Sequence, residues 1–319
     1  MKIVILDAGT MGADMEFSAI ERLGECTIYQ KSTQAEIPER IKDADVVLTN
    51  KCFLNRDILS LAKNIKLICV FAVGFNNIDI EYCRERNIRV RNVPGYCTES
   101  VCQHTFALLF ALIENIRYYD DFVKSGEYSK SGIANHIGKP FFEISGKKWG
   151  IIGMGAIGRA VADCATAFGA QVSYTSISGA VREEKYENIP LDKLLSESDI
   201  ITVHAPLNEK TTGLIGKKEL EMMKKSAFIV NVGRGAIIDE AALAEAVDNG
   251  TIAGAALDVY VVEPPEENSP IVSIKNKERI LYSPHIAWAS IEARKRCISM
   301  TAENIEAFIN EKDCRDVWS

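Results

Sequence analysis

The feature that most constrains the fold is a glycine-rich turn between a short apolar run and a helical pattern. Trp149-Gly150-Ile151-Ile152 predicts a strand, and Gly153-Met154-Gly155-Ala156-Ile157-Gly158 follows it directly. A second apolar run then ends near Thr175. The first glycine permits a tight turn, the second lets backbone approach a pyrophosphate, and the third lets the helix pack close to the sheet. This context predicts a dinucleotide-binding strand–turn–helix unit.

The same turn predicts which groups hold the phosphates. The first helical N–H groups, those of Ala156 and Ile157, point toward a pyrophosphate, and the positive end of the helix dipole favours its charge. The predicted cofactor contacts of this turn are Gly153, Gly155, Ala156, Ile157 and Gly158.

The second strand of the unit leaves the choice of cofactor open. An NAD-binding unit usually carries an acid about 20 residues further on, for the ribose hydroxyls. Tyr174-Thr175-Ser176-Ile177-Ser178-Gly179 contains none, and Ser176 is the predicted ribose contact. A carboxylate would repel a 2′-phosphate whereas a hydroxyl would not, and Arg182 lies nearby. Serine can also bond a ribose hydroxyl, so NAD and NADP both fit.

Short β-rich runs alternate with helical patterns along most of the chain, which predicts parallel sheets covered on both faces. The runs form two series on either side of a long helical stretch, Val101–Lys124, whose first half is apolar on every side. The 319 residues suit two domains at about 100–200 residues each. The predicted strands are Lys2–Leu6, Val46–Thr49, Leu67–Phe71, Arg89–Val93, Trp149–Ile152, Gln171–Tyr174, Ile200–His204, Phe228–Val232, Ala256–Val259 and Ile280–Tyr282.

Composition narrows the class of partner. A net charge of −7 disfavours nucleic acid and anionic membranes, because both attract basic surfaces. No window approaches about 18 uninterrupted apolar residues, so no membrane span is predicted. The nine cysteines form no CxxC pair, and the N-terminus predicts a strand rather than a signal peptide. We therefore expect reduced thiols, a cytoplasmic location and no metal site.

Polar signatures follow four apolar runs of the second series: His204-Ala205-Pro206, Gly233-Arg234-Gly235, Asp258-Val259-Tyr260 and Ser283-Pro284-His285. They can meet in one cleft, because ligands of open α/β sheets bind outside the carboxyl ends of the strands. His285 is the best acid–base candidate, since an ordinary histidine pKa near 6.5 suits proton transfer at neutral pH. His204 is predicted to contact the adenosine half of the cofactor. His104, in the apolar helix, is interpreted as a buried or interface residue.

In these motifs the chain resembles the D-isomer-specific 2-hydroxyacid dehydrogenases over nearly its full length. The resemblance implies a catalytic Arg–Glu–His set, which falls on Arg234, Glu263 and His285. The matching stretches, in family order, are Val73–Asp79, Gly153–Gly158, His204–Thr211, Asn231–Asp239, Leu257–Pro264 and Pro284-His285.

The implied reaction is hydride transfer between a nicotinamide cofactor and a small 2-oxo acid or D-2-hydroxy acid. Arg234 has a rigid fork that can bind carboxylate and ketone oxygens. His285 as imidazolium protonates the ketone oxygen, and the neutral ring takes the proton back in the reverse direction. Glu263 beside it favours the charged ring and fixes its orientation. By resemblance, the backbone amides of Val73 and Gly74 hold the substrate carboxylate.

Further positions are predicted to line the cofactor. Asp258 resembles the family position that contacts the nicotinamide carboxamide. The remaining predicted cofactor contacts are Thr98, Ala205, Pro206, Thr211, Val232 and Gly233.

The family architecture implies a Rossmann dinucleotide-binding domain inserted into a flavodoxin-like substrate domain. The expected bounds are 101–284 for the cofactor domain, and 1–100 with 285–319 for the discontinuous substrate domain. The C-terminal helix Ile291–Asn310 fits a return to the substrate domain. The family usually dimerises through the cofactor domain, so a homodimer is expected, with the apolar helix after Val101 in a buried contact.

Within the family, Thr49-Asn50-Lys51 and the absence of a regulatory C-terminal domain most resemble hydroxypyruvate reductases, also called glycerate dehydrogenases. Lys51 is then an expected substrate contact, and hydroxypyruvate or glyoxylate the expected substrate. Two other activities stay open: that of a D-lactate dehydrogenase and that of a reductase of branched 2-oxo acids. So does a dinucleotide-sensing binding protein like the C-terminal-binding corepressors, which retain the same Arg–Glu–His set.

Overall fold

The structure is a computed structural model that describes residues 1–177, 184–312 and 315–318. Ser178, Gly179 and Arg182, named above near the predicted ribose site, lie outside the described residues. Among the helices of the described ranges, none combines the length and the apolar character needed to span a bilayer.

The chain forms two compact units, each built on one parallel sheet. The first unit consists of Met1–Cys97 with Ala289–Ser319, and the second of Thr98–Trp288. The predicted α/β class with two parallel-sheet domains is confirmed. The domain bounds expected from the sequence, and the assignment of cofactor and substrate to the two units, stay predictions.

The first unit carries a five-stranded sheet. Its strands are β1 (Lys2–Ile5), β2 (Glu25–Ile28), β3 (Val46–Thr49), β4 (Leu67–Val70) and β5 (Arg89–Arg91). They pair in parallel in the order β2-β1-β3-β4-β5. Every residue of β3 and β4 is buried, as in parallel sheets covered on both faces. Its helices are α1 (Ser18–Glu21), α2 (Ile37–Ile41), α3 (Arg56–Leu61), α4 (Ile80–Glu85) and the later helix Ile291–Ile309.

The second unit carries a seven-stranded sheet. Its strands are β6 (Lys148–Ile152), β7 (Gln171–Thr175), β8 (Glu187–Asn188), β9 (Ile200–Val203), β10 (Phe228–Asn231), β11 (Gly254–Leu257) and β12 (Ile280–Tyr282). They pair in parallel in the order β12-β11-β10-β9-β6-β7-β8. The chain runs outward from β6 to β8 and then starts again at β9, on the other side of β6. A reversal of this kind leaves a ligand crevice at the carboxyl ends of the two central strands.

The helices of this unit are α5 (Thr98–Ile113), α6 (Ile116–Lys124), α7 (Glu127–Ser131), α8 (Ala156–Ala167), α9 (Leu191–Glu197), α10 (Lys217–Met222) and α11 (Glu240–Asp248). Its core is a continuous apolar cluster drawn from β6, β9, β10 and β11 and the helices packed on them. Short 3-10 helices occur at Gly235–Ile237 and Lys277–Arg279 in this unit, and at Ala8–Met11 in the first unit.

The structure differs from the sequence prediction in three elements. Strand β2 was not predicted, because it is a sheet edge whose residues are all exposed or half-buried. Strand β8 has two exposed polar residues and no apolar pattern to detect. The apolar stretch predicted as one helical run is divided at Asn115, whose left-handed backbone (φ 51°) separates α5 from α6.

Candidate active site

The glycine turn adopts the geometry that a dinucleotide requires. Gly153 has a φ of 97°, which favours glycine, and its N–H donates to the Thr175 carbonyl at 3.1 Å. A Cβ at Gly158 would overlap the Gly153 carbonyl oxygen, so only glycine lets α8 pack this close. A Cβ at Gly155 would have no heavy atom within 4 Å. The turn therefore leaves open space beside Gly155, in front of the first N–H groups of α8, and the residues fit a pyrophosphate.

His204 follows β9 directly, beside this turn. Both of its ring nitrogens are buried and have no hydrogen-bond partner among the described residues. Burial lowers the pKa of the ring to about 3, so the imidazole is neutral at physiological pH. A buried polar group without a partner is destabilising, and a ligand that supplies hydrogen-bonding groups at this edge would satisfy it.

The other predicted cofactor contacts lie at the ends of strands and helices. Thr211 is buried, and its hydroxyl donates to the Pro206 carbonyl at 2.7 Å, which closes the loop after His204. Ser176 directly follows β7, and Thr98 begins α5. Ala205 follows His204, and Val232 and Gly233 directly follow β10.

Arg234 lies in the loop after β10, and a buried asparagine shapes that loop. Asn231 accepts from the Gly233 N–H and donates to the Arg234 carbonyl, both at 3.0 Å. The Arg234 guanidinium donates to the Gly233 carbonyl at 2.8 Å. Within the described part of the chain, no carboxylate forms an ion pair with it. The guanidinium thus keeps donors for an anionic ligand.

His285 and Glu263 form a direct pair, as the predicted roles require. The His285 Nδ1 lies 2.6 Å from the Glu263 Oε2, and the two side chains are 23% and 31% exposed. Glu263 also accepts from the Tyr260 N–H at 3.2 Å through its other oxygen. Because Nδ1 faces the carboxylate, Nε2 is the ring nitrogen left to exchange a proton with a ligand.

The loop that carries His285 is held by Asp258, which is 1% exposed. One carboxylate oxygen of Asp258 accepts from the Ser283 hydroxyl at 2.6 Å and from the Ile286 N–H at 2.9 Å. The other accepts from the Ala287 N–H at 2.9 Å. Three bonds to one carboxylate fix the loop on both sides of His285. The predicted contact of Asp258 with the nicotinamide stays a prediction.

Further bonds fix the same loop. The Tyr260 hydroxyl donates to the Ser283 carbonyl at 2.9 Å, and the Trp288 indole donates to the His285 carbonyl at 2.9 Å. The His104 Nε2 lies 2.9 Å from the Ser283 hydroxyl oxygen, so the histidine of the apolar helix contacts the support of this loop. Sequence reasoning missed this network; its signal was the histidine His104 at the start of the apolar part of α5.

Tyr260 connects the loops of the three candidate catalytic residues. Its N–H bonds Glu263 and its hydroxyl bonds the loop of His285. Gly235, the neighbour of Arg234, packs against its backbone so closely that a Cβ would overlap it. Arg234, Glu263 and His285 therefore lie on loops that contact one common residue.

The predicted substrate contacts outside this set lie in the first unit. Lys51 is exposed in the loop after β3, and Val73 and Gly74 lie in the loop after the neighbouring strand β4. They occur at the carboxyl ends of adjacent parallel strands.

The chain is similar to known proteins over most of its length. A family model described as D-isomer specific 2-hydroxyacid dehydrogenase, NAD binding domain, matches residues 106–287. The hydroxypyruvate reductase of Blautia hydrogenotrophica is 36% identical over 315 residues, which cover 97% of each chain. The glyoxylate reductase of Aeropyrum pernix is 40% identical over 294 residues, 89% of this chain and 85% of that one.

A solved structure shows the same fold. The D-lactate dehydrogenase from Aquifex aeolicus, complexed with NAD and lactic acid, superposes with a TM-score of 0.85. Its sequence identity is 27%, and the match covers 98% of this chain and 96% of that one. The expected enzyme class and the nicotinamide cofactor are confirmed. The chain belongs to the D-isomer specific 2-hydroxyacid dehydrogenases, oxidoreductases that use a nicotinamide cofactor.

Proposed function

We propose that this enzyme reduces hydroxypyruvate to D-glycerate and glyoxylate to glycolate. The observation that carries the chemistry is the His285–Glu263 pair, with 2.6 Å between Nδ1 and Oε2. The preference for these substrates is supported by the names of two relatives, a hydroxypyruvate reductase and a glyoxylate reductase.

Three side chains take part in the reaction. Arg234 binds a carboxylate oxygen and the ketone oxygen of the 2-oxo acid, and so polarises the carbonyl. His285 donates the proton on Nε2 to the ketone oxygen while the carbonyl carbon gains a hydride, which the bound cofactor supplies. Glu263 stabilises the imidazolium before transfer. In the oxidative direction the neutral Nε2 takes the hydroxyl proton.

The first unit carries the other predicted substrate contacts. The Val73 and Gly74 amides bind the substrate carboxylate, and Lys51 donates to the hydroxyl on the third carbon of hydroxypyruvate. Lys51 is also a local cation in a chain of net charge −7, and it attracts an anionic substrate.

A substrate panel tests the assignment. Hydroxypyruvate, glyoxylate, pyruvate and a branched 2-oxo acid are each offered with NADH and with NADPH, and oxidation of the cofactor is followed by absorbance. We expect the highest kcat/KM on hydroxypyruvate or glyoxylate. A highest value on pyruvate or on the branched acid would overturn the substrate, and no oxidation with any of them would overturn the reaction.

Ser176 favours use of both cofactors, because neither Ser176 nor Ile177, which directly follow β7, carries a carboxylate that would repel a 2′-phosphate. Ser176→Asp should raise the KM for NADPH at least about tenfold, since a carboxylate repels the phosphate, and change the KM for NADH less. An equal or larger effect on NADH would show that the ribose lies elsewhere. The matched control is Ser176→Ala, which removes the hydroxyl without adding charge.

The enzyme works as a homodimer through its second unit. Large apolar side chains are exposed along one stretch of this unit, and Ile137 is 85% exposed. Exposed apolar surface of this kind is typical of protein interfaces. The exposed residues of this stretch are Ile116, Val123, Ile133, Ile137 and Phe141.

The enzyme acts in the cytoplasm. We base this location on the nine cysteines, which form no CxxC pair and suit the reduced thiols of a reducing compartment.

A further inference from the structure

A buried carboxylate lies beneath the predicted substrate loop of the first unit. Asp7 follows β1 and is 4% exposed. Its oxygens accept from three consecutive backbone N–H groups, those of Asn50 at 2.9 Å, Lys51 at 2.7 Å and Cys52 at 3.2 Å. The Thr49 hydroxyl adds a fourth bond at 3.1 Å.

Backbone amides, rather than a cation, compensate the charge of this carboxylate. Within the described part of the chain, no Lys, Arg or His forms an ion pair with Asp7. A buried charge is strongly destabilising unless it is fully hydrogen-bonded. Three amides that converge on one anion are therefore a rigid arrangement, because each one that moves away leaves the charge less compensated.

The central and shortest of these amide bonds belongs to Lys51. Its neighbours Thr49 and Asn50 are buried, whereas Lys51 itself is exposed. The Asn50 side-chain amide also bonds the Thr10 hydroxyl at 3.1 Å, and Thr10 bonds the Asp7 carbonyl at 2.7 Å. Asp7 thus fixes the backbone from which the Lys51 side chain extends.

A second polar residue connects this loop to the loop of Val73 and Gly74. The Asn77 side-chain amide donates to the Cys52 carbonyl at 2.8 Å. The Asn77 carbonyl accepts from the Leu54 N–H, also at 2.8 Å. Asn77 lies three residues after Gly74 in the chain. The loop after β3 is therefore bonded to the loop after β4 as well as to Asp7.

We propose that Asp7 is a positioning residue for substrate binding, which acts through the Lys51 backbone, and that Asn77 sets the spacing between Lys51 and the Val73–Gly74 amides. This inference rests on the proposed function, in which Lys51 and the two amides hold opposite ends of a short 2-oxo acid. Misplacement of a binding group by about 1 Å can reduce catalysis by up to about 10²-fold, so a rigid support has a measurable effect.

The experiment compares Asp7→Asn with the wild-type enzyme. The asparagine keeps the shape but removes the charge and turns one acceptor into a donor that faces N–H groups. We expect the KM for hydroxypyruvate to rise about tenfold or more, while kcat and the KM for NADH stay within about twofold. Equal losses in the two KM values, or a loss confined to kcat, would overturn the proposal.

The matched control is Asp45→Asn. Asp45 lies just before β3, at the opposite end of the strand from Lys51, and its carboxylate accepts from the Lys2 N–H at 2.9 Å and from the Lys66 ammonium. This substitution removes the same kind of charge-assisted bond in the same unit, at a residue that does not contact the loop of Lys51. We expect the KM of Asp45→Asn for hydroxypyruvate to match that of the wild type. A rise equal to that of Asp7→Asn would overturn the proposal, because the effect of Asp7→Asn would then reflect a general loss of stability.

A double variant separates positioning through Lys51 from other effects. If Asp7 acts through Lys51, Asp7→Asn combined with Lys51→Met should have a KM within about twofold of Lys51→Met alone. If the KM of the double variant instead rose by the product of the two single-variant increases, the proposal would be overturned. If Asp7→Asn does not fold, Asn77→Ala is tested in the same cycle with the same expected result.

The order of measurement keeps this inference distinguishable from the proposed function. The substrate panel first identifies the best 2-oxo acid for the wild-type enzyme, and the KM comparison then uses that acid. A best substrate other than hydroxypyruvate or glyoxylate overturns the proposed function. The proposed role of Asp7 is still tested by the ratio of the KM of Asp7→Asn to the KM of the wild-type enzyme.

Discussion

His285 is the residue on which the proposed chemistry depends most. Its backbone lies in the left-handed region, with a φ of 54°, which residues other than glycine rarely adopt. The bonds of Asp258 and Trp288 to the surrounding loop hold this conformation in place. The neighbouring Glu263 then sets which ring nitrogen faces away from the carboxylate.

We expect His285→Ala to lower kcat/KM for the best 2-oxo acid by about 10²–10⁴-fold, because the ketone oxygen loses its proton donor. Glu263→Gln keeps a hydrogen-bonding group at Nδ1 but removes the charge, so its loss should be smaller. Steady-state kinetics measure both, and fluorescence titration with NADH should show that cofactor binding survives. Turnover like that of the wild type in His285→Ala would refute the assigned role.

His204 makes a contribution to stability that depends on pH. Its folded pKa of about 3 lies below the usual histidine value, because burial disfavours the charged ring. In the unfolded chain, the His204 ring therefore binds a proton below about pH 6.5. In the folded chain, it binds one only below about pH 3. The contribution of this histidine is fully present above the unfolded value and is lost as the pH falls toward the folded value.

His204→Gln should therefore reduce the pH dependence of the unfolding free energy. In the wild type this group adds a slope of at most about 1.4 kcal/mol per pH unit between about pH 6 and pH 4, and the variant lacks it. Urea unfolding of both proteins across that range, without cofactor, measures the difference. Parallel curves for the two proteins would mean that the ring is not excluded from protonation in the folded state.

At the scale of elements, we expect the contact between β6 and α8 to affect both stability and cofactor binding. A Cβ at Gly158 would overlap the Gly153 carbonyl, whereas a Cβ at Gly155 meets open space. Gly158→Ala should therefore lower the unfolding free energy by about 1–3 kcal/mol and weaken NADH binding as well. Gly155→Ala is the matched variant, which should weaken NADH binding with little change in stability. Denaturation curves and NADH titration of both variants check this pairing.

The elements that the sequence predicted well are those with strong, local signals. Buried parallel strands are continuous apolar runs, and the glycine turn between β6 and α8 has fixed spacing. Polar residues directly after strand ends led to the predictions for Arg234 and His285, and the family resemblance, itself confirmed, led to that for Glu263; their catalytic roles stay predictions. The edge strands β2 and β8 lacked such a signal, since half-exposed pairing leaves no apolar run.

The supporting residues of the site could not be predicted, because their partners are far away in sequence. Asp258 bonds a loop about 28 residues later, and Asp7 bonds one more than 40 residues later. His104 and Ser283 are 179 positions apart. Such contacts exist only after the sheet order has brought the strand ends together.

At the scale of the whole molecule, the exposed apolar stretch of the second unit predicts a dimer. We expect size-exclusion chromatography with light scattering to give twice the mass of one chain for the wild type. Ile137→Asp combined with Phe141→Asp should shift the mass to that of one chain, because each change places a charge in the apolar contact. Leu61→Asp, which changes a leucine of α3 in the first unit that is about as exposed as Phe141, should leave the dimer intact. A wild-type mass of one chain, or a dimer that tolerates the double change, would contradict this interface.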